Sequence, residues 1–198
     1  MKEILIATKN RGKFFEINEI LNGLPYKFLS LADIKIEADV EEDGADFTEN
    51  ALKKADFFHS LAGMPVIAED SGLIVDALPG ELGVKTRRWG AGAKASDEEW
   101  IEFFMDKMKD VDDHERTARF ICVSVFRDGD LLKTFAGKTE GVITRDLEAP
   151  IKQGLPLSSC FKPLGCEKVY SALSFTEKSK ASHRGKALRA LRDFISSL

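Results

Sequence analysis

Apolar positions along this chain switch between two periods, and the switches mark out its elements. Residues 3–8 form a short apolar run that reads as a buried strand. After a polar turn, Phe14, Ile17, Ile20 and Leu21 recur at helical spacing. Strand, loop and helix within the first 22 residues open an α/β protein. Residues 26–31 read as a second strand. From Phe47, the positions Ala51, Leu52, Ala55, Phe58 and Leu61 predict an amphipathic helix, ended by Gly63-Met64-Pro65. Residues 66–68 read as a strand leading into Glu69-Asp70-Ser71-Gly72, with a further strand over 73–78. Ser96 is placed to cap a helix with Asp97, Glu98 and Glu99 in its first turn and Trp100, Ile101, Phe104, Met105 and Met108 on its buried face. Residues 117–126 make the clearest strand, Asp128-Gly129 signals a hairpin, residues 131–135 return, and 141–144 continue the sheet. Residues 148–165 carry three prolines and no period, and read as loop. Ala187, Leu188, Leu191, Phe194, Ile195 and Leu198 share one face of a final helix. The whole predicts a mixed α/β architecture with antiparallel strands in its middle, and neither repeat nor linker.

Composition narrows the classes. At 198 residues, 43% apolar, the chain can bury a sizeable core as one bilobed domain over 1–198. A net charge of -4 argues against a general nucleic-acid binder, yet leaves room for a basic pocket that takes an anionic small molecule. No stretch approaches the ~20 apolar residues of a membrane span, and Met1-Lys2-Glu3 runs straight into the first strand without a signal-peptide pattern. Cys122, Cys160 and Cys166 are odd in number and lack metal-ligand spacing. They suit a reducing cytoplasm, with Cys122 as plain core.

Four polar segments carry candidate chemistry. Thr8-Lys9-Asn10-Arg11-Gly12-Lys13 joins the first strand to the first helix, where free backbone N–H groups favour phosphate; its glycine pattern is not that of a P-loop. Glu41-Glu42-Asp43-Gly44, with Lys54 on the next helix, offers hard oxygen ligands for Mg²⁺, and equally reads as a solvated turn. Glu69-Asp70-Ser71-Gly72 follows an apolar strand, where a sheet opens into loops and carboxylates are well placed to hold a metal, with a glycine that lets a ligand approach; a hairpin turn uses the same residues. The stretch from Glu177 to Arg184 gathers cations near a helix start, where the dipole disfavours them, so a bound anion or a carbonyl-bearing base would account for them. His183 is open there as general base, base contact or exposed side chain. His59 and His114 read as surface positions without partners.

In their order and spacing these segments resemble the Ham1-like inosine triphosphate pyrophosphatase family. The matching text is Ala7-Thr8-Lys9-Asn10-Arg11-Gly12-Lys13, Glu42-Asp43-Gly44 with Phe47, Glu49-Asn50-Ala51 and Lys54-Ala55, Glu69-Asp70-Ser71-Gly72-Leu73, Asp76-Ala77-Leu78, Gly83-Val84, and Glu177-Lys178 with Ser182-His183-Arg184. It spans nearly the whole chain. The resemblance implies an elongated two-lobed α/β fold around a long mixed sheet, with the nucleotide in the cleft between the lobes. It also implies a Mg²⁺-dependent homodimer that converts ITP, dITP and XTP to monophosphate and pyrophosphate. It assigns Thr8, Asn10, Lys13 and Lys54 to the triphosphate, and Glu42 and Asp70 to the metal. Asp70 is also the proton acceptor for the attacking water, with Lys13 and Lys54 stabilising the leaving group. Ser71 and Arg88 fall at substrate-contacting positions, and Lys178, His183 and Arg184 at those facing the base.

There is one departure. Where the family has Phe-Gly-Tyr-Asp-Pro or a close variant, this chain reads Leu155-Pro156-Leu157-Ser158-Ser159-Cys160, with Ser158 at the aspartate's place. Loss of an aromatic platform costs ~1–3 kcal/mol per stacked base. The expectation is a weakened base pocket, and, as the alternative, the same reaction on a different or broader set of nucleotides, pyrimidine or otherwise modified. A non-catalytic nucleotide-binding protein is a further alternative, disfavoured by the retained Glu42, Asp70 and both lysines.

Overall fold

The computed structural model describes residues 2–92 and 94–198. Its strands are β1 (Lys2–Ile6), β2 (Tyr26–Ser30), β3 (Val66–Val75), β4 (Thr117–Asp128), β5 (Leu131–Ile143) and β6 (Phe161–Pro163). They form one sheet in the order β2-β1-β3-β4-β5-β6. β1 runs parallel to β2 and β3, and the β3-β4-β5-β6 run is antiparallel. The helices are α1 (Arg11–Leu21), α2 (Phe47–Ala62), α3 (Asp97–Met108), α4 (Phe175–Ala181) and α5 (His183–Ile195). The crossover from β1 to β2 moves one way across the sheet and that from β2 to β3 the other. Right-handed crossovers therefore put α1 and α2 on opposite faces.

Strand alternation then divides the core. Leu5, Ala7, Val66 and Ala68 pack under α2 with Ala51, Ala55 and Phe58. Ile4, Ile6 and Ile67 pack under α1 and α5 with Ile17, Leu21, Leu188 and Leu191. A third cluster builds the other lobe, where Leu73, Val75, Phe120 and Phe161 meet Trp100, Ile101, Phe104 and Met108 of α3. β3 and β4 pass through both lobes as one ladder, from Val66 opposite Arg127 to Val75 opposite Ala118.

The caps follow local sequence. Ser96 and Glu99 form a capping box on α3, Asp46 caps α2, and Gly63 ends α2 in the left-handed conformation at φ 63°. The structure corrects three readings. Residues 66–68 and 73–78 are not two strands around a turn: β3 is continuous, and Glu69-Asp70-Ser71-Gly72 lies in its middle, paired with β4. The proline-rich stretch holds β6 and a 3-10 turn over Pro156–Ser159. His59 is not without partners: its ring bonds the Met64 carbonyl oxygen at 2.8 Å and accepts from the Gly129 N–H at 3.3 Å, tying α2 to the β4–β5 turn.

Candidate active site

β1 ends at the point where β3 continues. Ala7 N–H donates to Ile67 O at 2.8 Å, and the chain then turns away through Thr8 to Asn10 into α1. From Glu69 onward, the edge of β3 away from β4 has no neighbouring strand among the described residues. The Thr86 hydroxyl closes that edge only at Leu73, accepting from its N–H at 3.0 Å. A cleft of about 320 Å³ runs past this open stretch. Thr8, Asn10, Lys13, Glu42, Lys54, Asp70, Ser71, Arg88, Lys178, His183 and Arg184 all line it. Four segments far apart in sequence, together with Arg88, thus reach one cavity.

Because β3 is extended, Glu69 and Asp70 point to opposite faces of the sheet. On the α2 face, Asn50 Nδ2 donates to Asp70 Oδ2 at 3.1 Å and Lys54 Nζ lies 3.3 Å from Oδ1. The same ammonium is 2.7 Å from Glu42 Oε1, so one cation sits between two carboxylates from opposite walls. Burial raises the Asp70 pKa from its ordinary value, partly offset by Lys54. Burial opposes the charge on Lys54, and Asp70 and Glu42 more than restore it. Arg88 reaches across to donate to Glu42 O at 2.7 Å.

On the other face, Glu69 is fully buried among donors. Arg184 Nε donates to Oε2 at 2.8 Å, Lys13 Nζ lies 2.8 Å from Oε1, and Cys122 Sγ donates at 3.0 Å. Burial opposes ionisation of Glu69, but Arg184 and Lys13 reverse this and hold its pKa well below the ordinary value. Cys122 is therefore more than filler: it supplies one of the hydrogen bonds to that carboxylate. Arg184 NH2 donates to Ser71 Oγ at 3.0 Å, and NH1 bonds Glu16. Glu16 also pairs with Lys178. Burial depresses the Lys178 pKa and Glu16 partly restores it.

These pairs answer the puzzle of the cations at 177–184. Lys178 belongs to α4, not to the start of the final helix. Arg184 opens α5, capped by Ser182, and its charge is balanced by buried Glu16 and Glu69 rather than requiring a bound anion. α5 comes this close because Gly137 of β5 lies under its first turn; a Cβ there would sit 2.1 Å from His183 O. His183 is buried and stacked on Phe120, with ring centroids 4.6 Å apart, and burial together with Arg184 holds it neutral. Its Nδ1 has no hydrogen-bond partner among the described residues.

Asn10 is partly committed. Its Oδ1 caps α1 by accepting from Lys13 N–H at 3.0 Å, and its Nδ2 donates to Gly154 O at 2.9 Å. The N–H groups of Arg11 and Gly12 in the first turn stay free of intrahelical acceptors, as helix geometry dictates. Thr8 Oγ1 accepts from Asn10 N–H at 3.2 Å. The replaced motif lines the cleft through Leu155, Pro156, Leu157 and Ser158. The motif's own aromatics are absent, as the sequence shows, while Phe120, Tyr170 and Trp100 line the cleft from other elements. Ser158 Oγ accepts from Lys178 Nζ at 3.4 Å. Sequence reasoning gave no role to Glu16 or Asn50, and grouped Glu69 with Asp70 as a metal-holding carboxylate, whereas Glu69 is taken up by Arg184 and Lys13 on the opposite face. Among the described residues, Asp112, His114 and Glu115 also bring ligand atoms within 4.8 Å of one another, but all three are exposed. Exposed acidic groups of this kind are ordinarily solvated.

Comparison with known proteins gives the family and the fold. The Ham1 family model matches residues 4–194. A dITP/XTP pyrophosphatase of Geobacter sulfurreducens is 40% identical, covering 98% of this chain and 97% of that protein. One from Bacillus subtilis is 37% identical over 98% of both chains. Among solved structures, a HAM1 protein from Coxiella burnetii superposes with TM-score 0.85 at 32% identity over 100% of both chains. The Staphylococcus aureus Ham1 protein gives TM-score 0.82 at 33% identity over 99% of both.

Proposed function

Since this chain belongs to the Ham1 family, we propose that it hydrolyses nucleoside triphosphates to monophosphate and pyrophosphate, acting on the deaminated purines ITP, dITP and XTP. The carrying observation is the convergence of all eleven site residues on one cleft. Its Lys13–Lys54 end is charged, with each ammonium paired to carboxylates, and its other end is apolar and aromatic around Phe120 and Tyr170. Relatives at about 40% identity that bear the name dITP/XTP pyrophosphatase support the substrate class.

The chemistry follows from the side chains. A water oxygen attacks the α-phosphorus, the bond to the bridging oxygen of the β-phosphate breaks, and pyrophosphate leaves. Asp70, whose burial strengthens its hold on a proton, accepts the proton of that water. Lys13 and Lys54 exchange their carboxylate partners for phosphate oxygens and stabilise the charge growing on the leaving group. Lys178 and Arg184 face the base and favour a keto oxygen over an amino group.

The reading includes Mg²⁺. Glu42 and Asp70 supply only hard oxygens and already converge on one cation, the Lys54 ammonium, which is the donor set that ion takes together with substrate phosphates. When bound it supplies neutralisation of the triphosphate and polarisation of the α-phosphorus. The reading extends to a homodimer in the cytoplasm. Exposed Leu164 and Phe15 offer apolar surface to a second copy, and buried free thiols suit a reducing compartment. The test is a panel of ITP, dITP, XTP, ATP, GTP and UTP, with and without Mg²⁺, read by chromatography of the products. Pyrophosphate with monophosphate, fastest for the deaminated purines, is the expected result. Orthophosphate with diphosphate as first products would overturn it.

A further inference from the structure

We propose that Asn50 is a positioning residue that locks the Asp70 carboxylate and the turn carrying Glu42 into one fixed arrangement. The inference rests on the reading of Asp70 given above and adds a residue to it. Asn50 lies on the sheet-facing side of α2 among Phe47, Ala51, Lys54, Ala55 and Phe58, and is fully buried. A buried amide is costly unless both its ends are bonded. Here both ends are. Oδ1 accepts from Gly44 N–H at 2.8 Å, and Nδ2 donates to Asp70 Oδ2 at 3.1 Å.

The two contacts leave no second orientation. A backbone N–H only donates and a carboxylate only accepts, so turning the amide over breaks both bonds at once. Lys54 follows one helical turn later on the same face and takes the other Asp70 oxygen. α2 therefore holds each oxygen of Asp70 with a separate donor. Gly44 makes the other contact possible: a Cβ there would lie 2.7 Å from Asn50 Oδ1 and 2.8 Å from Glu49 Cβ. Glu42 sits two residues before this anchor. The single amide thus spans the two walls whose carboxylates share the Lys54 cation.

Asn50→Asp keeps the shape and the bond from Gly44, but sets an acceptor against Asp70. Turnover of ITP is expected to fall about 10- to 100-fold, the scale of a misplaced reacting group. Affinity for an α,β-methylene ITP analogue, measured by calorimetry, is expected to change less than about threefold, because the phosphate-binding groups are untouched. The reciprocal variant Asn50→Asp/Asp70→Asn restores a donor–acceptor pair in the opposite sense. Its thermal midpoint, read without metal or nucleotide, is expected above that of Asn50→Asp while turnover stays low. A folded Asn50→Asp protein with wild-type turnover overturns the proposal, as does a double variant no more stable than the single one. If Asn50→Asp does not fold, refolding in the double variant carries the proposal, and its failure to fold refutes it. Absence of pyrophosphate release from the wild type would instead strike the functional reading, while the melting comparison still decides the Asn50–Asp70 contact.

Discussion

Replacing Glu69 by Gln removes a charge without changing shape, at the point where the buried network is densest. Every neighbour of that carboxylate is a donor: Lys13, Arg184 NH2 and Ser71 Oγ at Oε1, and Arg184 Nε and Cys122 at Oε2. Whichever way the Gln amide turns, its NH2 meets donors, so bonds are lost as well as charge. Arg184 keeps Glu16 as a counterion, but Lys13 loses its only carboxylate partner among the described residues. Breaking a buried ion pair from one side costs about 3–5 kcal/mol. At about 2–4 °C per kcal/mol for a chain of this length, the thermal midpoint at pH 7 should fall by roughly 6–20 °C. The pH dependence has a definite sign. The folded pKa of Glu69 lies below its unfolded value, so its contribution is fully present above about pH 4.3 and is lost as pH falls through the folded value. The gap between wild type and Glu69→Gln should therefore narrow as melts are taken from pH 7 toward pH 3.5. A midpoint within about 2 °C of wild type at pH 7, or a gap that stays constant into acid, would refute this account of the network.

Asp70→Asn should lower turnover at least ~100-fold with analogue affinity nearly kept, checked by steady-state kinetics and calorimetry; near-normal turnover would place the chemistry elsewhere. His183 is held neutral, so the unfolded chain takes a proton below about pH 6.5 that the folded one refuses. Stability should then fall with acidity by up to about 1.4 kcal/mol per pH unit, and His183→Gln should flatten denaturant-derived stability between pH 5 and 6.5. Gly137→Ala forces a Cβ to within 2.1 Å of His183 O unless α5 shifts. It should cost about 1–3 kcal/mol in melts and raise the Michaelis constant for ITP, and unchanged values of both would contradict the close approach.

Most elements were legible because their signals are local. Ser96 with Glu99, the hairpin at Asp128-Gly129 and the stripes of α2 and α5 are each written within a dozen residues. The middle of β3 was not. Four small or acidic residues in a row favour a turn, and only pairing with Ser124 to Ile121 of β4 keeps them extended. Glu16 was hidden for a related reason: its partner Arg184 lies 168 residues away. A signal existed, since Glu16 stands four residues before Ile20 on the buried side of α1. An acid on an apolar stripe and cations at a helix start are two oddities that resolve each other. Asn50 sat likewise on the buried face of α2, where an amide has no packing reason to be. The aromatic side of the cleft escaped because Phe120, Tyr170 and Trp100 come from elements that share no motif.

The unbroken ladder between β3 and β4 has a mechanical consequence. A jaw-like rotation of one lobe against the other would need a hinge, and the ground beneath the cleft is a pleated pair bonded from Val66 to Val75 with no bulge. Bending it would tear bonds beside Asp70 itself. Grip on a nucleotide is therefore left to the rims: the 39–44 turn, the Gly83–Lys85 turn with Arg88, and the stretch from Gly154 to Ser158. Structures with and without nucleotide should superpose closely along β3 and β4 and differ at those rims. The same stiffness links the halves in unfolding, so heat should melt both ends of the molecule in one transition.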